Sequence, residues 1–209
     1  MVTRGQFLER PTLIPAGPDV LEGLSHRGGR APALLILPPD PAVGGDMQHI
    51  VAAELAWAAT QAGHATLRFN HRGVGASQGR RGDLPSRVED ARAALQLLRD
   101  NCGAAPAVVA ALPGAASVAF ALAAASPEIR ALALVSPFAL DPASLQEVRL
   151  PVRVILGALD DWIPSDAVLA ALARHGGGVE WIAHADQRFL RNLPQVGRSV
   201  TALLDDVQA

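Results

Sequence analysis

The chain has 209 residues, half of them hydrophobic and 18% charged, which is the composition of a globular protein with a sizeable core and excludes a disordered one. All 18 basic residues are arginine, scattered along the chain against 20 acidic ones, for a net charge of −2. Neither a nucleic-acid-binding patch nor a polybasic membrane anchor is expected. The lone cysteine, Cys102, can form no internal disulfide. The N-terminal MVTRGQFLERPTLIPAG lacks the apolar core of a signal peptide. A cytoplasmic location is therefore expected, and the alanine- and arginine-rich, lysine-free composition fits a bacterial source.

In chain order, the first 25 residues are expected to add one or two antiparallel strands. Ala31–Leu37 reads as a strand and Gly45–Gln61 as a helix, with Met47, Ile50, Val51, Leu55 and Ala58 at helical spacing and Gly63 just past its end. Thr66–Phe69 is the next strand. Ser86 with Glu89 forms a capping box for a helix whose apolar face is Val88, Ala91, Leu95 and Leu98. Val108–Leu112 is a strand followed by a helix through Ala125. Residues 103–126 carry no charge, long enough to cross a bilayer, but Pro106, Pro113 and Gly114 interrupt them and favour a strand, turn and helix in a core. Strands at Ala131–Val135, Val152–Leu156 and Val179–Ile182 follow, with helices at Ser165–His175 and Gln195–Val207.

Strands alternating with helices imply an α/β fold, a mostly parallel central sheet with helices on both faces. With no repeat, linker or long insertion, residues 1–209 read as a single domain without a lid. Ligands in such folds bind beyond the carboxyl ends of the strands, so the residues just after each strand carry the chemistry.

One such stretch is VVAALPGAAS, residues 108–117. Its strand–turn–helix pattern is where many hydrolases carry G-x-S-x-G with the serine at the apex. Here those five places read Ala110-Ala111-Leu112-Pro113-Gly114. RFNHRGVGASQG (68–79), at another strand's carboxyl end, resembles the RFN-x-RG-x-G-x-S-x-G segment of a small, lidless branch of the α/β-hydrolase superfamily, related to dienelactone hydrolases and short-chain esterases. PDPAVGGDM (39–47) resembles the loop beside that family's oxyanion hole, and Glu89-Asp90-Ala91 its following helix. ILGALDDWIP (155–164) resembles its acid loop and AHADQRFL (183–190) its histidine loop.

The resemblance places the nucleophile at Leu112, the acid at Asp160 and the base at Gln187, so only the acid of the triad survives. The loop histidines of the usual H-P-H-P fall at Pro38 and Asp40, and the amide that donates to the oxyanion falls at Pro113, which has no N–H. Pro39, Asp40, Gly44, Gly45 and Pro113 are the binding positions it implies. Losing the serine or histidine of such a triad costs about 10⁶ in kcat, and losing one oxyanion donor about 10² to 10³.

Substitutes are few. Cys102 precedes a strand about 20 Å long and lies at the sheet's opposite edge. Ser117 is expected to face helix packing partners. His71 reads as a packing or loop hydrogen-bonding residue, and His184 as a base only if a shifted loop aims it at Asp160. Arg72 and Asp90 read as a structural ion pair. Asp160 and Asp161 lack a His or Cys at ligand spacing, and GVGASQG lacks the spacing and lysine of a phosphate loop, so no metal or cofactor is expected.

The expectation is a catalytically silent hydrolase homologue that acts by binding, scaffolding or regulation, with a small-molecule ligand or a protein as its partner. The alternative is an esterase, hydrolase or lyase-type enzyme using His184 or His71 with Asp160 or Asp40. At the turn itself, Leu112-Pro113 predicts a relaxed junction, with negative φ at Leu112 and Pro113 in the first turn of the next helix.

Overall fold

The computed structural model describes residues 9–174 and 176–207. Strands β1 (Arg10–Ala16) and β2 (Asp19–His26) pair antiparallel, and β2 pairs antiparallel with β4 (His64–Phe69). From there the sheet is parallel: β3 (Arg30–Leu37), β5 (Ala107–Ala111), β6 (Ile129–Val135), β7 (Val152–Gly157) and β8 (Gly178–Ile182). The spatial order is β1-β2-β4-β3-β5-β6-β7-β8.

Alternation along the central strands divides the core in two. Leu35, Leu37, Val109 and Ala111 face one layer with α2 (Leu84–Asn101), α3 (Ala116–Ala124) and α5 (Asp166–Ala173). Leu34, Ile36, Val108 and Ala110 face the other, covered by α1 (Ile50–Gln61) and α6 (Leu193–Asp206) through Val51, Leu55, Val196, Val200 and Leu204. Burial on both faces is why these strands read as continuous apolar runs. The uncharged stretch 103–126 is β5 and α3, and no helix among the described residues is long and apolar enough to cross a membrane.

The departures from sequence expectation are at helix starts. The expected helix at Gly45 begins only at Ile50, because Pro41–Val43 forms a 3₁₀ turn capped by Asp40 and the Asp46 carboxylate takes the Gln48 amide at 2.8 Å. Asp83, not Ser86, caps α2, accepting the Ser86 amide at 3.1 Å and its hydroxyl at 2.8 Å, with Pro85 in the first turn. A short helix, α4 (Pro142–Glu147), is not visible as periodicity; Asp141 caps it. Helix α5 ends at Ala173, and residue 175 of the expected helix lies outside the described residues.

Candidate functional site: a closed elbow at the carboxyl edge

Strand β3 lies between β4 and β5, so the connections on its two sides leave in opposite directions. The crevice above β3 and β5 is where a ligand is expected. The loops meeting there are residues 38–48 and 112–115.

Leu112 continues β5. Its amide donates to the Leu37 carbonyl at 3.3 Å, and its side chain, 1% exposed, joins Leu34, Ile36, Val108 and Val51 under α1 and α6. Its φ is not in the left-handed region. The Ala115 amide then donates to the Leu112 carbonyl at 2.9 Å, with Pro113 and Gly114 between them and Gly114 at φ +84°. Proline second and a left-handed glycine third is the residue order of a type II turn. Pro113 therefore lies in the turn before α3 and not, as expected, in the helix's first turn, since Gly114 must reverse the chain before Ala116 can begin it. The left-handed residue is the glycine and not the apex.

Most backbone groups around this turn are already engaged. Pro113 has no N–H, and its carbonyl accepts the Asp40 amide at 3.0 Å. The neighbouring amides are also engaged: Ala42 on the Asp40 carboxylate at 2.8 Å, Val43 and Gly45 on the Asp40 carbonyl at 3.1 Å, and Met47 on Asn70 at 2.7 Å. A Cβ on Gly114 would lie 2.6 Å from the Asp40 Cβ and 3.6 Å from the Phe138 ring, so Asp40 and Phe138 sit over the turn. Pro39 is buried, and its carbonyl packs so closely on Gly45 that no side chain fits there; Gly44 ends the 3₁₀ turn at φ +80°.

The acid position is held by its own loop and by β6. Asp160 accepts the Ser136 hydroxyl at 2.8 Å and the Trp162 amide at 3.2 Å. Ser136 is buried at φ +41°, a strained setting for serine at the carboxyl end of β6. Sequence reasoning missed it, although a Ser-Pro pair ending an apolar run marks a strand's carboxyl end. Gln187 and His184 are both exposed, and no ion pair joins His184 to Asp160 among the described residues. No group of three His, Cys, Asp or Glu among the described residues could hold a metal.

His71 is buried edge-on to Phe69 at 5.1 Å, and its Nδ1–H donates to Asp90 at 3.3 Å. Asp90, fully buried, also accepts the Arg72 amide at 3.0 Å and its guanidinium at 2.7 Å. Asp40 pairs with Arg87 at 2.7 Å. Burial works against the Asp40 carboxylate, but the Ala42 amide, Arg87 and His71 together hold it below the usual carboxylate value. The structure thus brings Asp40 to Pro113, and among the described residues no hydrogen bond or ion pair joins Asp160, Gln187 or His184 to either.

Ser117 does not face packing partners as expected; it is exposed, on a groove between α3 and α4. Cys102 caps the carboxyl end of α2, with its thiol donating to the Leu98 carbonyl at 3.0 Å, and burial pushes its pKa up. Alkylation by iodoacetamide at pH 8 is therefore expected to be slower for the folded chain than for the urea-unfolded one. Equal rates would contradict this placement.

Residues 44–195 match the family described as serine aminopeptidase, S33 (Hydrolase_4). The chain belongs to this family. Among solved structures, a similar one is an α/β serine hydrolase homologue from Coxiella burnetii, 26% identical, with TM-score 0.80 over 98% of this chain and 99% of that one. A candidate α/β hydrolase from Agrobacterium tumefaciens is 25% identical, with TM-score 0.77 over 95% of each chain. A lidless serine hydrolase from Xanthomonas campestris, 21% identical with TM-score 0.77 over 95% of this chain and 94% of that one, shares the fold. No curated protein sequence matches the chain. The S33 chain is thus a lidless α/β hydrolase in fold, as its segments 39–47 and 68–79 imply.

Proposed function

We propose that this S33-family chain is a non-hydrolytic member that acts by binding. The observation that carries the reading is Leu112, a buried aliphatic side chain where the family's pattern calls for an exposed nucleophile. Three further features agree with it. Pro113 can give no oxyanion N–H, the Asp40 amide is spent on Pro113, and the position of the base holds an exposed amide, Gln187. Nucleophile, base and donor would each have to be replaced, and the losses from the first two alone reach about 10⁶ in rate.

The test is chemical. A serine-directed fluorophosphonate probe is expected to leave the full chain unlabelled, and p-nitrophenyl acetate turnover is expected to match a size-matched control protein. Leu112→Ser alone is expected to add nothing, because no base removes its proton and no donor receives the oxyanion. Stoichiometric labelling at any serine would sink the proposal. The competing reading, an enzyme using His184 or His71 with Asp160 or Asp40, draws on the left-handed backbone at His184 and Ser136 beside Asp160. It predicts turnover that is lost in His184→Ala or His71→Ala.

A further inference from the structure

Three of the 18 arginines meet at one place. Arg72, Arg81 and Arg87 line a cavity of about 150 Å³ at the carboxyl ends of β3 and β4, together with Asp40, His71 and Gly82. The cavity adjoins the closed elbow, since Asp40 forms part of its wall and also covers Pro113-Gly114. It is too small for a drug-sized molecule and large enough for a compact group of a few heavy atoms.

The three guanidinium groups are not equally satisfied. Arg72 is matched by buried Asp90 at 2.7 Å, with exposed Glu89 at 3.4 Å on its outer side. Arg87 reaches Asp40 through one terminal nitrogen at 2.7 Å, while its Nε is buried without a hydrogen-bond partner among the described residues. Arg81 donates to the Pro41 carbonyl at 3.3 Å and meets no carboxylate within 4.0 Å among the described residues. So one guanidinium of this wall, that of Arg81, lacks an anionic acceptor among the described residues. A guanidinium without a counter-charge, beside two that have one, is where the oxygens of a partner anion would add a pairing. Guanidinium forks fit the oxygens of carboxylate and phosphate, and several converging ones favour a compact oxyanion over a neutral group.

We propose that this cavity is an oxyanion site, taking the phosphate or carboxylate head group of a small molecule between Arg81 and Arg87. The rest of the ligand would extend out past the exposed segment 80–82. Asp40 competes with the anion for Arg87, so it sets the affinity from within the site. This proposal is independent of whether the chain hydrolyses esters.

Isothermal titration calorimetry on the full chain tests it, with inorganic phosphate, acetate and chloride at matched ionic strength. One-site binding of phosphate, or of phosphate and acetate, with no response to chloride is expected; the two patterns separate a phosphate head group from a carboxylate. Arg81→Gln, at an exposed position outside the core, and Arg87→Met should each weaken binding tenfold or more. Asp40→Asn, which keeps an acceptor for the Ala42 amide, should strengthen it. Arg153→Gln, on the far side at Asp206, should leave it unchanged. Heats that chloride reproduces, or affinity unchanged in both Arg81→Gln and Arg87→Met, would overturn the site.

Discussion

Leu112→Ala is expected to lower the unfolding free energy by about 2–5 kcal/mol. The side chain is 1% exposed and lies in a cluster whose other members include Leu34 and Ile36 from β3, Val51 and Leu55 from α1, and Phe189 from the loop after β8. Those neighbours are anchored by the sheet and by α1, so they cannot collapse into the space left behind, and the cost falls on the transfer and cavity terms together. For a chain of this length the same loss appears as a fall in Tm of roughly 2–4 °C per kcal/mol. Leu112→Ser should cost more, because it adds an unpaired hydroxyl to the same apolar setting. Urea unfolding measures both. A change near zero would mean that Leu112 faces solvent at an open cleft, and the reading of a closed elbow would fall with it.

This expectation separates the two things an elbow does. A nucleophile must be held out of the core, on a strained turn, and the strain costs of order 1–3 kcal/mol. Here the residue follows the alternation of Val108 and Ala110 into the core, and the reversal is made by Gly114, where positive φ carries little penalty. The turn buries the side chain that ends its strand and leaves the reversal to the glycine. Strain persists elsewhere on the same edge, at Ser136 and His184, in the loops on either side of Asp160.

Most of the architecture is legible in the sequence because it rests on local periodicity. Runs such as Leu34–Leu37 and Val108–Ala111 are apolar throughout since both sheet faces are covered, and the Pro113-Gly114 pair announces a turn. Segment 68–79 is legible as a motif because its glycines and Asn70 serve a loop that holds β2 through Glu22 and Ser77. What escapes is non-local. Asp83 outcompetes Ser86 as the α2 cap because its carboxylate gathers both the amide and the hydroxyl of Ser86. The contact of Asp40 with Pro113 depends on β3 lying beside β5, and the meeting of Arg72, Arg81 and Arg87 depends on how loop 71–82 folds back over β4 and α2. No periodicity encodes these meetings, so the facing of Arg72, Arg81 and Arg87 on one cavity appears only in the fold.

Asp90→Ala is expected to be the most damaging single change outside the apolar core, at about 3–5 kcal/mol, because it leaves buried partners without their counter-charge. Asp90 is fully buried and joins three groups: the His71 ring, the Arg72 amide and the Arg72 guanidinium, itself only 16% exposed. Its burial alone would raise the carboxyl pKa, but the hydrogen bonds from His71 and from Arg72 outweigh that and hold it below the ordinary value of 3.8. A carboxylate depressed in the folded state binds its proton more readily once unfolded, so its contribution is fully present above the ordinary value and is lost as pH falls through the lower folded one. The stability gap between the parent chain and Asp90→Asn should therefore narrow as pH falls from about 5 to 3. The amide in Asp90→Asn keeps the shape and an acceptor oxygen, so the part of the gap that responds to acid reports the charge and the remainder reports geometry. Urea unfolding across that range reads it directly. A gap that stays the same at pH 3 and pH 7 would mean that Asp90 acts through shape alone, and that Arg72 is held in the cavity wall by packing instead of by its ion pair.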